Sequence, residues 1–280
     1  MTYLFFLPAF LLVAAVSFLP LFYAVRQSFF SAEYLQLGNF VGFQNYTRLL
    51  FDSGGLGNLR VSLVFVAGTV AVTVPIGFGL ALLLNRPLRF RGAYRTILIL
   101  PWVVSQLVTA LLWMWLLNNR FGPIAYSASQ IGLSFPNPIT SVDFAMPSVI
   151  LANAWRSYPL VMLFVLAALQ TIPTELTDAA KIDGATKWQN FWHVTMPLIR
   201  NTTLVALVLT TLHAFNMVTM ILLMTGGGPA GSTDVLALRV FKEGFLFYRM
   251  GIASAAAVVI FLLNIAFTLV YIRVLRSDNR

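Results

Sequence analysis

The chain has 280 residues, of which 59% are hydrophobic and only 10% are charged, and its apolar residues fall in blocks of about twenty, the helix length that crosses ~30 Å of hydrocarbon. This composition indicates a membrane protein and excludes a soluble globular domain. The formal net charge is +9 and there is no cysteine, which excludes disulfides, iron–sulfur clusters and cysteine-ligated zinc.

Six apolar segments are long enough to cross a bilayer. We therefore predict an all-α membrane protein with six transmembrane helices, forming a single domain over residues 1–280. The predicted spans are 3–25, 60–84, 96–117, 148–171, 202–225 and 250–274. The first segment lacks the basic n-region and the small-residue cleavage site of a signal peptide, which favours a true span.

The connections between the spans differ in character. The segment between the first two spans is amphipathic, with no apolar run long enough to re-enter the bilayer, and predicts a cap lying on the surface. The loop 118–147 holds four prolines, which favour extended or turn structure over helix. Residues 226–234, with the sequence GGGPAGSTD, predict a flexible break too short to link two domains.

Basic residues are concentrated on one set of connections. The short loop 85–95, the loop 172–201 and the C-terminus hold most of them, whereas the opposite loops carry fewer over nearly twice the length. The positive-inside rule predicts that the richer set and both termini are cytoplasmic. This bias and contact with anionic membrane lipid account for the net charge, so nucleic-acid binding is not predicted.

The cytoplasmic loop 172–201 lies between the fourth and fifth spans and predicts a helix–turn–helix. Pro173 and Thr174 predict a helix start with Thr174 as N-cap, and Asp183-Gly184 predicts the turn. In the second helix Trp188, Phe191 and Trp192 share one face, and Pro197 predicts a bend at membrane re-entry. A simple connector, whose aromatics lie among lipid headgroups, is the alternative.

The residues of this loop resemble a known motif. It contains Asp178-Ala179-Ala180, Asp183-Gly184-Ala185, Phe191 and Met196-Pro197, in the order of the Glu-Ala-Ala motif of the membrane subunits of binding-protein-dependent ABC importers. Two positions depart from the motif, Asp for the leading Glu and Met for the Leu before proline. FVGFQNYTRLL, LAALQTIP, TGGGPAGSTD and the final span are similar to carbohydrate-type permeases, in particular the larger maltose permease subunit.

The resemblance implies a permease subunit of an ATP-driven importer for a sugar or sugar derivative, in a bacterial cell (inner) membrane. Its partners would be a second permease subunit, two copies of a cytoplasmic ATPase and an extracytoplasmic solute-binding protein. A heterodimer is favoured and a homodimer stays open. ATP and Mg would be used by the ATPase, and neither cofactor nor metal is expected on this chain, whose sequence has no G-x-x-x-x-G-K-[ST].

The resemblance also implies which residues act. ATPase coupling would fall to Glu175, Asp178, Ala179, Ala180, Asp183, Gly184, Ala185 and Thr186. Two stripes at helical spacing in the fourth and fifth spans correspond to positions that line the sugar site of the maltose permease. These substrate-binding candidates are Asn153, Arg156, Ser157, Leu160, Thr210, His213, Ala214 and Met217.

Other roles for these polar residues remain open. Arg156 could snorkel outward or pair with an acid of a partner subunit, and His213 could make an interhelical hydrogen bond. A buried cation beside an imidazole otherwise suggests a solute with negative charge, although neutral sugars are possible. Gln106, Asn264 and Thr73 are expected to hold helices together.

Two other classes of protein deserve comparison. An ion-coupled secondary transporter would more readily place an acid inside a span, but all nine acids lie outside the predicted span cores: Glu33, Asp52, Asp143, Glu175, Asp178, Asp183, Asp234, Glu243 and Asp278. An intramembrane enzyme is disfavoured because no HExxH motif and no intramembrane Asp pair occur. No catalytic residue is predicted.

Overall fold

A computed structural model of the chain describes residues 2–34, 36–51, 54–134 and 136–277. Helices dominate, and the one described sheet is the two-stranded antiparallel hairpin β1 (Phe30–Glu33) and β2 (Gln36–Phe40). The described helices are α1 Thr2–Ser28, α2 Gln44–Phe51, α3 Gly55–Leu84, α4 Arg91–Val103, α5 Gln106–Leu116, α6 Pro123–Gln130, α7 Val142–Gln170, α8 Thr174–Ile182, α9 Lys187–Asn190, α10 Met196–Phe215, α11 Thr219–Met224, α12 Leu236–Phe241 and α13 Met250–Ser277.

The predicted all-α membrane fold with six spans is confirmed. Five stretches are long and apolar enough to cross a membrane, and they correspond to α1, α3, α7, the continuous Lys187–Phe215 segment that contains α9 and α10, and α13. A sixth crossing results if the pair α4 and α5 counts as one broken span, because these helices meet at a bend of 96°.

The third predicted span, 96–117, is not the continuous helix that its hydropathy suggested. Val104 is extended, with ψ 134°, and ends α4. Ser105 then caps α5, because its side chain accepts a hydrogen bond from the Val108 amide at 3.3 Å. That bond takes the amide which would otherwise pair with the Val104 carbonyl in an uninterrupted helix.

The connecting segments hold more regular secondary structure than the sequence predicted. The four-proline loop was wrongly predicted to be non-helical, since Pro123 occupies the first turn of α6, where a proline is tolerated, and Pro147 lies inside α7. The segment after α1 forms the β1–β2 hairpin and α2 where only a surface-lying cap was predicted. Pro197 does not bend the chain out of helix, because α10 continues through it.

The chain divides into two compact units. One comprises residues up to Ser62 together with Asp234–Leu263, and its small core joins Leu49 of α2 to Ile252, Ala255 and Ala256 of α13. Asn45 strengthens this unit, because its side-chain amide donates to the carbonyls of Ser28 and Phe30, both at 2.9 Å. The prediction of a single domain stays a prediction.

The second unit comprises Leu63–Thr233 and the chain from Asn264. Its core contains buried apolar residues of α3, α7 and α10, among them Leu84, Met162, Leu166 and Ile199. Gly77 allows α3 to approach α7 closely, because a Cβ at this position would lie 2.7 Å from the Tyr158 carbonyl oxygen. The same core also joins α7 to α10, the two helices on either side of the hairpin of α8 and α9.

Candidate functional site

The loop 172–201 is folded as two helices joined by a tight turn. After α8, Gly184 adopts the left-handed region with φ 80°. Its amide donates to the Lys181 carbonyl at 3.1 Å, and the Ala185 amide donates to the Ala180 carbonyl at 2.9 Å. This pair of bonds is a Schellman motif, which explains why the sequence places a glycine directly after the C-cap residue Asp183.

A capping box starts the second helix of the loop. The Thr186 amide donates to Gln189 Oε1 at 2.8 Å, and the Gln189 amide donates to Thr186 Oγ1 at 3.3 Å. This Thr-x-x-Gln signal was present in the sequence and was missed. The predicted cap of the first helix is wrong, because Pro173 occupies the N-cap position of α8 and no side chain caps it.

The turn presents an apolar and aromatic surface to its surroundings. Ile182 is 87% exposed and Trp188 is 69% exposed. The Trp188, Phe191 and Trp192 rings contact one another, as their shared helical face predicted, and Phe191 also meets Phe78 of α3 edge-on at 6.2 Å. The loop is therefore anchored to the membrane helices on one side and open on the other.

The eight predicted coupling residues all lie on this hairpin. Ala180 and Ala185 are half-buried where the helix turns, and the remaining six are exposed: Glu175, Asp178, Ala179, Asp183, Gly184 and Thr186. Asp178 forms an exposed ion pair with Lys181 at 2.8 Å, which contributes little to stability. Whether these residues bind an ATPase stays a prediction.

The polar stripes of α7 and α10 meet at a small cavity of about 20 Å³. Seven of the eight predicted substrate residues line it: Asn153, Arg156, Ser157, Leu160, Thr210, His213 and Ala214. The eighth, Met217, lines an adjoining cleft of about 550 Å³ that shares Trp102, Leu160 and His213 with the cavity. The structure thus brings the two stripes together, and their role in binding stays a prediction.

Arg156 is held by the break between α4 and α5. Its Nε donates to the Val104 carbonyl at 3.2 Å, the carbonyl that the bend leaves without a helical partner. The half-buried guanidinium has further N–H groups available for hydrogen bonding. Arg156 therefore combines a fixed position with donors that can serve a bound group.

The other polar residues of the site differ in how fully they are bonded. Asn153 is buried and donates to Thr69 Oγ1 at 3.5 Å, while Ser157 donates to Asn153 Oδ1 at 3.4 Å. Thr210 donates to the Ala206 carbonyl in its own helix. His213 is exposed and makes no hydrogen bond within the described part of the chain, so the predicted alternative of an interhelical bond is not observed.

Trp102 and Gln106 also belong to the site and were missed from the sequence. Trp102 lines both cavities and Gln106 lines the cleft, although Gln106 was expected to hold helices together. Thr73 and Asn264 were also expected to hold helices together through hydrogen bonds. Their buried side-chain oxygens have no hydrogen-bond partner among the described residues. The local signal for the bend that separates Trp102 from Gln106 was Ser105, a residue type that favours the N-cap position and that begins α5 here.

Among the described residues, no acidic side chain lies in the apolar core of a candidate membrane span. Glu243 is nearly completely buried, but it lies in the π-helical turn Lys242–Leu246 between α12 and α13 and pairs with Arg239 and Arg249. Asp52 and Asp278 lie outside the described residues. An ion-coupling site of the kind that secondary transporters use is therefore not observed among the described residues.

Comparison with known proteins decides the family. The model of the family described as "binding-protein-dependent transport system inner membrane component" matches residues 73–277. The chain belongs to this family. It is a multi-pass inner-membrane permease component of an ABC importer, as the resemblance of its loop and flanking segments predicted, and the secondary-transporter alternative is not favoured.

Relatives with known names cover nearly the whole chain. An sn-glycerol-3-phosphate transport system permease protein (UgpA) of Agrobacterium fabrum is 34% identical over 95% of this chain and 91% of its own length. A trehalose/maltose transport system permease protein (MalF) of Thermococcus litoralis is 34% identical over 84% and 79%. A sulfoquinovosyl glycerol transport system permease protein (SmoG) of Agrobacterium fabrum is 32% identical over 97% and 89%.

Solved structures of ABC transporters share the fold of this chain. A bacterial ABC transporter that imports the acidic polysaccharide alginate superposes with a TM-score of 0.87 at 24% identity, covering 100% of this chain and 96% of the other. A second alginate transporter structure, in complex with a periplasmic protein bound to an alginate pentasaccharide, superposes with a TM-score of 0.81 at 25% identity, covering 96% and 92%.

Proposed function

We propose that the chain forms half of an alternating-access pathway that imports a sugar or sugar derivative. The observation that carries this proposal is the convergence of the α7 and α10 stripes on one polar cavity, on the two helices that flank the loop 172–201. A movement of that loop would act directly on the helices that hold the site. The residues proposed to bind the solute are the eight of the two stripes, with Trp102 and Gln106 added.

The solute is proposed to carry negative charge. Arg156 places a cation beside the cavity, and no described carboxylate lines the cavity or the adjoining cleft to neutralise it. Hydrogen bonds from guanidinium to phosphate, sulfonate or carboxylate are stronger than those to neutral hydroxyls. The names of two relatives, for glycerol phosphate and sulfoquinovosyl glycerol transport, agree with this class. Neutral sugars are the competing class.

The energy is proposed to come from a separate cytoplasmic ATPase, present in two copies, that uses ATP and Mg and binds the exposed hairpin of α8 and α9. This chain would bind no cofactor or metal and catalyse no reaction. The remaining partners are a second, unlike permease subunit and an extracytoplasmic solute-binding protein. With the hairpin in the cytosol, both termini are cytoplasmic, as the distribution of Lys and Arg supports.

Replacement of Gly184 by Trp tests the coupling surface. Any side chain here strains the backbone, because φ is 80°. A non-glycine residue in this left-handed region raises the conformational free energy by about 1 kcal/mol. A Cβ at this position meets no atom within 4 Å. The indole of the introduced Trp would therefore extend away from this chain and toward the proposed ATPase partner. We expect the ATPase subunit to be lost on co-purification.

A matched control separates partner binding from backbone strain. Gly132 also has a positive φ, 74°, and its Cβ also meets open space, but it follows α6 on the opposite set of loops. Gly132→Trp should retain the ATPase. If Gly184→Trp retains it as well, the hairpin is not the docking surface.

A further inference from the structure

Three arginines line a second cavity, in the unit formed by residues up to Ser62 and Asp234–Leu263. This cavity has a volume of about 330 Å³, and Arg48, Arg239 and Arg249 contribute to its wall together with Glu33. It is distinct from the candidate solute site, which lies in the other unit. We refer to it as the arginine pocket.

A buried carboxylate fixes two of the three arginines. The Glu243 side chain is 2% exposed and lies 2.7 Å from Arg239 Nε and 3.2 Å from Arg249 Nε. Arg239 also donates from Nη1 to Asn58 Oδ1 at 3.3 Å. The contact of Glu243 with Arg249 is an ion pair at Nε, so the terminal nitrogens of the Arg249 guanidinium remain available as donors.

The charge of the arginine pocket favours an anion. Arg48 is exposed and has no ion pair or side-chain hydrogen bond within the described ranges. Three arginines are balanced by only two carboxylates, Glu33 and Glu243, which leaves one positive charge in excess. A cavity with unsatisfied guanidinium N–H groups and excess positive charge is suited to phosphate or carboxylate.

The arginine pocket lies at the ends of membrane helices. α1 ends at Ser28 and α13 begins at Met250, and the cavity is lined by Ser31, just beyond the first helix, and by Gly251 and Ile252 in the first turn of the second. Beside it Tyr34 and Tyr248, both exposed, stack at a centroid distance of 5.3 Å. Exposed tyrosines at this position are typical of the membrane–water interface.

An apolar groove continues from the arginine pocket along the same two helices. It has a volume of about 400 Å³ and is lined by Leu19, Pro20, Tyr23, Ala24 and Gln27 of α1 and by Ser254 of α13. Ser254 follows Gly251 by three residues, so the groove begins within one helical turn of the arginine pocket. Its α1 wall belongs to a strongly apolar span with exposed side chains.

We propose that the arginine pocket and the groove together bind one anionic phospholipid. The phosphate lies against Arg48 and Arg249, and an acyl chain follows α1 and α13 into the bilayer. An acidic side chain of a protein partner would satisfy the arginines, but it would leave the groove unexplained. The combination of interfacial depth, positive charge and an adjoining apolar channel favours lipid.

Native mass spectrometry of the assembled, delipidated importer tests this site. The probes are phosphatidylglycerol, phosphatidylcholine with the same acyl chains, glycerophosphoglycerol and inorganic phosphate. We expect preferential retention of phosphatidylglycerol. Arg48→Gln should weaken this retention about fivefold, and adding Arg249→Gln should weaken it about fivefold again, because each arginine near an anionic membrane surface contributes about that factor to lipid affinity. Arg120→Gln, at another exposed arginine, should change nothing. Arg48→Gln removes no described contact, so it isolates binding from folding.

A groove variant adds an independent readout. Ala24→Trp should displace the acyl chain and weaken phosphatidylglycerol retention while leaving the arginines in place. The proposal is overturned if both lipids are retained equally or if the double arginine variant keeps the preference. It is also overturned if glycerophosphoglycerol or phosphate competes as well as intact lipid, which would indicate a free-anion site. Loss of binding-protein affinity with unchanged lipid retention would instead identify a protein carboxylate as the occupant.

Discussion

Arg156 shows how a single charge is accommodated within a membrane helix. A cation at the centre of a span costs about 2.5–3.5 kcal/mol on insertion scales. Here the bend between α4 and α5 frees the Val104 carbonyl, and Arg156 Nε donates to it at 3.2 Å. A neutral carbonyl is a weaker acceptor than an anionic oxygen, so an anionic solute group can compete for this guanidinium.

Arg156→Ala tests the role of this charge. We expect uptake of anionic sugar derivatives by proteoliposomes of the complete importer to fall roughly 10- to 100-fold, the range for loss of a hydrogen bond to a charged group. Arg120→Ala, at an exposed arginine beyond α5, is the control and should be unaffected. Unchanged uptake of every anionic candidate would rule out the proposed charge selection.

Gly77 controls the approach of α3 to α7. An added Cβ would lie 2.7 Å from both the Tyr158 carbonyl oxygen and Val161 Cβ, so Gly77→Ala should lower the free energy of unfolding by about 1–3 kcal/mol through overpacking. Gly79→Ala, where a Cβ meets nothing within 4 Å in the same helix, should not destabilise. Thermal unfolding in detergent compares the two. Equal effects would show that close packing at Gly77 is unimportant.

At the scale of elements, the α8–α9 hairpin is shaped by local bonds on both sides of Gly184. The Schellman motif ends α8, and the capping box of Thr186 and Gln189 begins α9. α9 has only four residues before the π-helical turn Phe191–Thr195, so it has little intrinsic stability of its own. Its shape therefore depends on its cap and on the aromatic contacts that follow.

Thr186→Ala should loosen the start of α9. Loss of an N-cap costs about 1 kcal/mol, and we expect faster hydrogen exchange of the amides of Gln189 and Asn190. Thr174→Ala is the control, because Thr174 is exposed and its side chain caps nothing. If the two variants exchange alike, the capping box does not order the hairpin.

The sequence predicted long uniform elements well and interruptions poorly. Hydropathy located the membrane helices, and the Asp-Gly turn located the hairpin, because both signals are local. The bend at Val104 and Ser105 was missed because its flanking residues are as apolar as an unbroken span. Trp102 and Gln106 were missed with it, since their placement at the site depends on that bend. Seven stripe residues converge on the cavity because helical spacing alone aligns each set.

At the scale of the whole molecule, the helices that line the proposed solute site also flank the proposed coupling hairpin. α7 ends at Gln170 and α10 begins at Met196, on either side of the hairpin, and both carry the polar stripes. Nearly rigid movement of these helices would transmit a pull on the hairpin to the cavity, on the α10 side through the π-helical turn Phe191–Thr195. We therefore expect uphill transport to require an external motor, and an ion gradient alone should not suffice.

Reconstitution of the purified permease subunits with and without the ATPase measures this requirement most directly. The two membrane subunits are placed in liposomes with the solute-loaded binding protein, and accumulation is followed under an imposed proton or sodium gradient. We expect no accumulation against the solute gradient until the ATPase, ATP and Mg are supplied on the hairpin side. Uphill accumulation by the membrane subunits alone, driven by either ion gradient, would contradict it.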